Sequence, residues 1–401
     1  MPETTGLGST PYIVLGLYLL LLLFFGIQGY RRRQGESEED YYLAGRSQGW
    51  VVSALTIMAT FFSSFALLGA PGMVYRDGVV FALFSLNVPV AGVAIYLLGD
   101  RIRKIGRQHG YITPADMISA HYQSRVGLRL LVAVVGLLYA VPYVVMQIQA
   151  GGILSQQLFP GTDAFEIGAG LLALVTMLYI MTGGMRSVAW TDVVQGGLLV
   201  GGMLLAGIAA VWVLGVPVNF FAEVAKLPTR SLSAPGTSGR WTPEILFTAS
   251  LFASLGSMIQ PAQWMRFYAA RSSEVLRRSA LIFAAVLTLC FFFGVMLVGL
   301  GGQVLYPLTD GTGAYLIDTA GKILPHPIVG QTAGEFDQIL VVVLKNHLPE
   351  LLGSLGAVLA ALILVAIMAA AMSTADSNLH ALSALLTHDI YDQFIRPQAS
   401  Q

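Results

Sequence analysis

Ser373, Asp376, Ser377 and His380 recur at i, i+3, i+4 and i+7, a spacing that puts four polar side chains on one face of a helix. They sit in an otherwise apolar run, 351–387. A carboxylate in such a run is costly and normally faces a cavity or a partner. Asp192 is a second carboxylate set inside an apolar run. No Lys or Arg is expected deep in these runs, so the counter-charge expected for Asp192 and Asp376 is a bound cation or a proton. A blander reading competes. Asp192 lies near the start of its run and would snorkel to the interface. The 351–387 run, ~55 Å long as helix, overshoots a ~30 Å hydrocarbon core and would end in water. Ser373 is followed by Thr374, and adjacent hydroxyls point about 100° apart on a helix. Hard oxygens of this kind suit sodium. Their competing role is a bond to the helix's own i−4 carbonyl.

The backbone adds a second signal. Met58–Gly72 and Ala253–Trp264 are apolar segments interrupted by Pro and Gly. Proline removes a helix donor and glycine loosens the backbone. Carbonyls freed at membrane depth need a partner, and a sodium ion suits them. The first segment opens a block of five spans, 50–214, and the second opens the block that follows. Interrupted helices in corresponding positions of two halves point to a transporter binding site.

The elements that must hold these residues are membrane helices. The chain has 401 residues, 55% hydrophobic and only 11% charged, against about 25% charged in a soluble domain. Its mean hydropathy is +0.71. These values exclude a soluble enzyme or a disordered tail. A net charge of zero gives no pull toward nucleic acid. One cysteine, Cys290, excludes an internal disulfide and a Cys-based metal cluster. At about 20 apolar residues per crossing, the expected spans are 11–29, 50–75, 79–99, 126–155, 163–182, 187–214, 243–265, 279–303 and 351–387. The first is not a cleaved signal, because it lacks a basic start and runs into Arg31, Arg32 and Arg33. Connections 30–49, 100–129, 183–186, 266–278 and 388–401 hold 16 of the 22 Lys and Arg. The positive-inside rule then places the N-terminus outside and the C-terminus in the cytoplasm of a plasma (inner) membrane. The long connections 215–242 and 304–350 fall on the basic-poor side. The second holds apolar pieces such as 336–344, expected as short helices outside the membrane.

Four motifs, in order along the chain, resemble the sodium/solute symporter family. They are Asp40-Tyr-Tyr-Leu-Ala-Gly-Arg46, Gly69-Ala-Pro-Gly72, Trp190-Thr-Asp-Val-Val-Gln195, and Ala370-Ala-Met-Ser-Thr-Ala-Asp-Ser377 with Asp389-Ile-Tyr391. The resemblance implies an all-α membrane protein with LeuT-like inverted five-helix repeats and an extra leading helix. Its parts would be 1–49, 50–215, an extracellular loop at 216–242, and an incomplete second repeat at 243–401. It further implies a sodium site with carbonyls from Ala59, Phe62 and Ala370 and hydroxyls from Ser373 and Thr374. A second cation site is implied at Asp192, with Ser373, Asp376 and Ser377 as partners. Family members carry at least two more helices beyond the ninth span, so the sequence reads as a fragment of a longer protein.

The implied function is sodium-coupled symport of a small organic solute such as an amino acid, monocarboxylate or vitamin, with no organic cofactor. Candidate solute contacts are Ser63, Ser64, Ser85, Gln147, Ser257 and Trp264. Gln147 serves equally well as an interhelical hydrogen bond, and Trp264 as an interface anchor near Arg266. Ala253, Gly256 and Ser257 offer no large polar group, which counts against a sugar. The competing class is a membrane sensor or regulatory protein that keeps the bundle without transporting. A membrane enzyme is disfavoured, since no His-Glu-x-x-His, Gly-x-Ser-x-Gly or paired carboxylate motif appears. Oligomeric state is open.

Overall fold

A computed structural model describes residues 7–31, 37–124, 126–159, 163–330 and 335–396. The stop-signal residues Arg32 and Arg33 and the tail 397–401 lie outside these. Among the described residues the chain is helical, with isolated bridges in place of strands. The elements that concern the site are α1 (Thr10–Arg31), α2 (Glu38–Leu43), α3 (Trp50–Phe61), α4 (Gly69–Asp77), α5 (Val79–His109), α6 (Pro114–His121), α7 (Gly127–Leu158), α8 (Ala164–Val213), α9 (Pro243–Ile259), α10 (Pro261–Ala269), α11 (Ser273–Leu305) and α12 (Phe336–Ile395). Among the described residues six helices are long and apolar enough to cross a membrane, or up to eight if each of two bent pairs is one span.

Nine spans were expected, and the difference lies in α8. The expected spans 163–182 and 187–214 fall in this one 50-residue helix, ~75 Å long at 1.5 Å per residue. Its backbone leaves helical geometry at Gly184 (φ 54°, ψ −145°). The half after the break runs back along α1. Tyr179, before the break, covers Gly26; after it, Ser187 donates to the Gly26 carbonyl at 2.8 Å and Gln195 donates to Tyr18 at 3.0 Å. A Cβ at Gly184 would meet the Tyr41 carbonyl oxygen at 2.5 Å. Gly184→Ala is therefore expected to destabilise by about 1–3 kcal/mol, read as a lower melting temperature in detergent. Gly197→Ala, with open space at its Cβ, should leave melting unchanged or raised.

The two broken spans form for different reasons. Between α9 and α10, Gln260 is extended (φ −66°, ψ 135°) and Pro261 is the first residue of α10. Proline disfavours helical geometry at the residue before it, so the axis bends by 54°. Between α3 and α4 the bend is 76°, but Pro71 and Gly72 do not make it. Pro71 lies in the first turn of α4, where its missing N–H has no intrahelical role. The chain instead leaves the helix at Phe62 and Ser63, both extended, and the Ser63 hydroxyl accepts from Phe65 N at 3.2 Å.

α12 is also interrupted, at Gly353 (φ 58°, ψ −133°) just after Pro349. Its inner part packs against α8, α7 and α1. Its outer part, which contains the apolar piece 336–344, forms a small separate core. There Phe336, Ile339 and Val343 join Tyr75 of α4 with Tyr306, Leu308 and Val329.

Candidate ion and solute site

The break after α3 leaves the Ala59 and Phe62 carbonyls free of helical partners, and α12 supplies the groups that meet them. The Ser373 hydroxyl lies 3.2 Å from the carbonyls of both Ala59 and Ala370. The Thr374 hydroxyl lies 3.2 Å from Ala59 O and 3.3 Å from Phe62 O. Five oxygens thus form one hydrogen-bonded cluster around the break, and both hydroxyl residues are fully buried. The cluster carries no formal charge. It could hold a hard monovalent cation by dipoles alone.

One helical turn further along α12 the polar face continues. Tyr179 donates to Asp376 at 2.7 Å, and Ser377 donates to the other carboxylate oxygen at 3.1 Å and lies 3.0 Å from Thr60. Asp376, Ser377 and His380 are fully buried, which rules out a wet helix end. The His380 ring sits against Tyr41 and Tyr42, with Nε2 3.2 Å from the Tyr42 carbonyl.

The expectation that no basic residue lies deep among the spans is wrong. Arg266 is 1% exposed and Asp192 is 0% exposed, and they pair at 3.3 Å. The guanidinium also donates to the Thr56 carbonyl (3.3 Å), the Thr56 hydroxyl (3.0 Å), the Ala262 carbonyl (3.0 Å) and Ser377. Thr56 in turn donates to Asp192. Arg266 follows the end of the apolar run 243–265, so counting by hydropathy puts it in a loop. The break at Pro261 instead aims α10 into the bundle. A signal was available: Ala262, Met265, Arg266 and Ala269 share one helical face, and all are buried. Asp192 is therefore already matched by a tethered cation at one oxygen, while its Oδ1 has no partner among the described residues. Thr56, Tyr179 and Arg266 are the site residues that the sequence did not reveal.

Beside the ion cluster is a cavity of about 210 Å³ lined by Phe62, Ser63, Phe65, Tyr143, Ala253 and Phe291, among others. Ser63 is the candidate solute contact that reaches it. Gln147 accepts from Ser64 N (3.2 Å) and the Ser64 hydroxyl (2.9 Å), the interhelical role that competed with solute contact. Ser257 is turned back to the Ser254 carbonyl at 2.6 Å. Ser85 is fully buried with its hydroxyl unpartnered among the described residues, and neither serine lines this cavity. Trp264 is half-buried, donating to the Met258 carbonyl at 2.6 Å.

At the far end of α12 an ionic cluster ties four elements together. Arg129 bridges Asp116 (2.6 Å) and Asp389 (3.0 Å), and His388 reaches Asp116 (3.1 Å) and Glu38 (3.0 Å). Burial pushes the Asp116 carboxyl up. The His388 hydrogen bond and charge and the Ile112 and Thr113 N–H groups outweigh it, holding Asp116 well below the usual carboxylate range. A depressed carboxyl contributes stability above its unfolded pKa and loses it as pH falls toward the folded value. Melting temperature should therefore drop on acidification below about pH 4. Asp116→Asn should melt lower at neutral pH and show a weaker acid dependence.

A model of the sodium:solute symporter family matches residues 41–401. The chain belongs to that family. Relatives of this symporter family member include the sodium/pantothenate symporter of Escherichia coli (strain K12), 26% identical over 97% of this chain and 74% of the relative. The sodium/proline symporter of Staphylococcus aureus (strain bovine RF122 / ET3-1) is 27% identical over 95% and 68%. A solved structure of a Na+-coupled sialic acid symporter, substrate-bound and outward-open, superposes with a TM-score of 0.76 at 22% identity, over 98% of this chain and 75% of that one. It shows the fold. The family is one of integral multi-pass membrane transporters, not enzymes, with Na+ as the coupling ion.

Proposed function

We propose that this symporter imports a small organic solute with Na+ by alternating access. The Ala59, Phe62, Ala370, Ser373 and Thr374 oxygens form the sodium site, and the 210 Å³ cavity beside Phe62 and Ser63 is the solute site. The observation that carries this reading is the convergence of the two hydroxyls on the carbonyls freed at the α3 break. Shared use of the break links ion and solute, because Phe62 offers its carbonyl to one and its ring to the other. Sodium at this point would hold α3 and α12 together and favour the solute cavity. Such coupling is reciprocal, so solute tightens sodium. At the second cluster, two carboxylates face one guanidinium. One negative charge remains for a mobile cation, sodium or proton, with Asp192 Oδ1 as its open ligand atom beside Asp376 and Ser377.

Counted at Gly184 and across both bent pairs, the described residues cross nine times: a leading helix, a first five-helix repeat and three spans of an incomplete second repeat. The arginine-rich connections are cytoplasmic. The solute is an amino acid, monocarboxylate or vitamin rather than a sugar, since Ala253 on the cavity wall offers no large polar group to a polyol. Uptake into proteoliposomes under an imposed sodium gradient, across a panel of such solutes, tests the reading. Ala253→Phe places a ring in the cavity and should abolish uptake while leaving sodium-dependent melting intact. Uptake unaffected by Ala253→Phe would move the solute site elsewhere. A chain that binds sodium and accumulates none of the panel would favour the regulatory class.

A further inference from the structure

Apart from the solute site, the structure holds a cleft of about 750 Å³ over the outer end of α4. Arg76, Arg230, Arg240, Lys322, Tyr315 and Phe336 line it, and no Asp or Glu appears among its described lining residues. The connections on this side of the chain hold only six Lys or Arg, namely Arg76, Lys226, Arg230, Arg240, Lys322 and Lys345. Four of the six converge on this one cleft. Arg76 is committed to Asp77 at 2.7 Å. Arg230, Arg240 and Lys322 form no ion pair with any described residue. Arg240 lies 5.8 Å over the Trp241 ring, which orients its guanidinium. The Tyr315 hydroxyl is buried with no partner among the described residues. A concave wall of one sign, an unpaired hydroxyl and flanking aromatic rings suit a small anion with an apolar body. Arginine forks match carboxylate geometry in particular.

The cleft also neighbours an inner cavity. Phe336 borders it, and the next residues, Asp337 and Gln338, line a cavity of about 200 Å³ that reaches Ser64. That cavity shares Phe65 and Met146 with the solute cavity beside the ion cluster. We propose that the outer cleft is a recruitment site for a small carboxylate-bearing solute, held by Arg230, Arg240 and Lys322 before it passes inward. This rests on the symport reading and names its solute class.

A thiol reporter in the cleft tests it. Ile317 lines the cleft and is exposed, while the natural Cys290 is fully buried and does not compete. Ile317→Cys, in proteoliposomes of zwitterionic lipid, is reacted with anionic sulfonatoethyl and cationic trimethylammonium-ethyl methanethiosulfonates. The ratio of the two rates, relative to a small free thiol, should favour the anion by about tenfold or more and shrink with salt. It should collapse when Arg230, Arg240 and Lys322 are all changed to Gln. With a neutral methanethiosulfonate, acetate and pantothenate should slow the reaction more than acetamide and pantothenol at equal ionic strength. Ser238→Cys, on the facing wall, is the second reporter should the first fold poorly. A rate ratio equal to that of the free thiol, or unchanged in the triple variant, overturns the proposal. So does equal protection by the neutral analogues. If these fail while sodium still raises the melting temperature, the cleft alone is wrong. If sodium does nothing to the parent chain while the cleft selects anions, the symport reading is what fails.

Discussion

Replacing Ser373 and Thr374 together by alanine should remove the sodium-specific rise in melting temperature and the sodium dependence of uptake. A ligand that binds only the folded state stabilises it by about 2.7 kcal/mol at a hundredfold excess over Kd. Sodium titrated against potassium at fixed ionic strength should show that increment in the parent chain. The double variant deletes two of the five oxygens proposed for sodium and leaves the Ala59 and Phe62 carbonyls, buried at a helix break, without the partners they have now. Two effects should therefore appear together, a lower melting temperature without sodium and no sodium response. Thr288→Ala is the control, since that hydroxyl returns to its own helix at the Ala284 carbonyl, 2.7 Å away. A double variant that kept its sodium shift would place the ion elsewhere, and the Asp192–Asp376 cluster would be next to test.

Arg266→Met is expected to be the most destabilising single change in the site. It removes a guanidinium that reaches Asp192, Thr56, Ser377 and the Ala262 carbonyl, with both charged partners fully buried. Stranding one member of a buried pair costs about 3–5 kcal/mol, whereas removing both can be close to neutral. Arg266→Met with Asp192→Leu should therefore recover most of the loss seen in Arg266→Met alone. Melting temperatures of the three variants in detergent decide this. Equal melting of Arg266→Met and the parent would mean that Asp192 does not depend on this arginine. No recovery in the pair would mean that Arg266 acts through Thr56 and Ser377 instead.

What the sequence made legible follows from what periodicity and proline report. The α12 face showed because Ser373, Asp376, Ser377 and His380 stand out at helical spacing in an apolar run, and all four are buried together. The α9–α10 break showed because proline acts on the residue before it. The α3–α4 break was placed in the right segment for the wrong reason. Pro71 begins a helix there, and the turn is made by Phe62 and Ser63, whose side chains carry no such mark. Arg266 was missed because hydropathy measures distance along the chain, and a half-helix folds its charge back into the bundle. Tyr179 was missed because a tyrosine in a span looks like packing until its hydroxyl is seen on Asp376. Among the proposed solute contacts, short polar residues gave too little to separate a cavity wall from a helix satisfying itself, as Ser257 does.

The small core beyond the membrane helices has a mechanical meaning. Tyr75 belongs to α4, the outer half of the first broken helix, yet its hydroxyl donates to the Tyr306 carbonyl at 2.8 Å and accepts from His326 N at 3.2 Å. A Cβ at Gly72, three residues earlier, would meet the Phe336 carbonyl at 2.8 Å. The half-helix and the cap above it are thus clamped into one body, and any tilt of α4 during turnover must carry the cap with it. The cap is then an external handle on the machine. A nanobody that braces segment 306–330 against the neighbouring loop should stall turnover from a distance, leaving both the ion cluster and the solute cavity untouched.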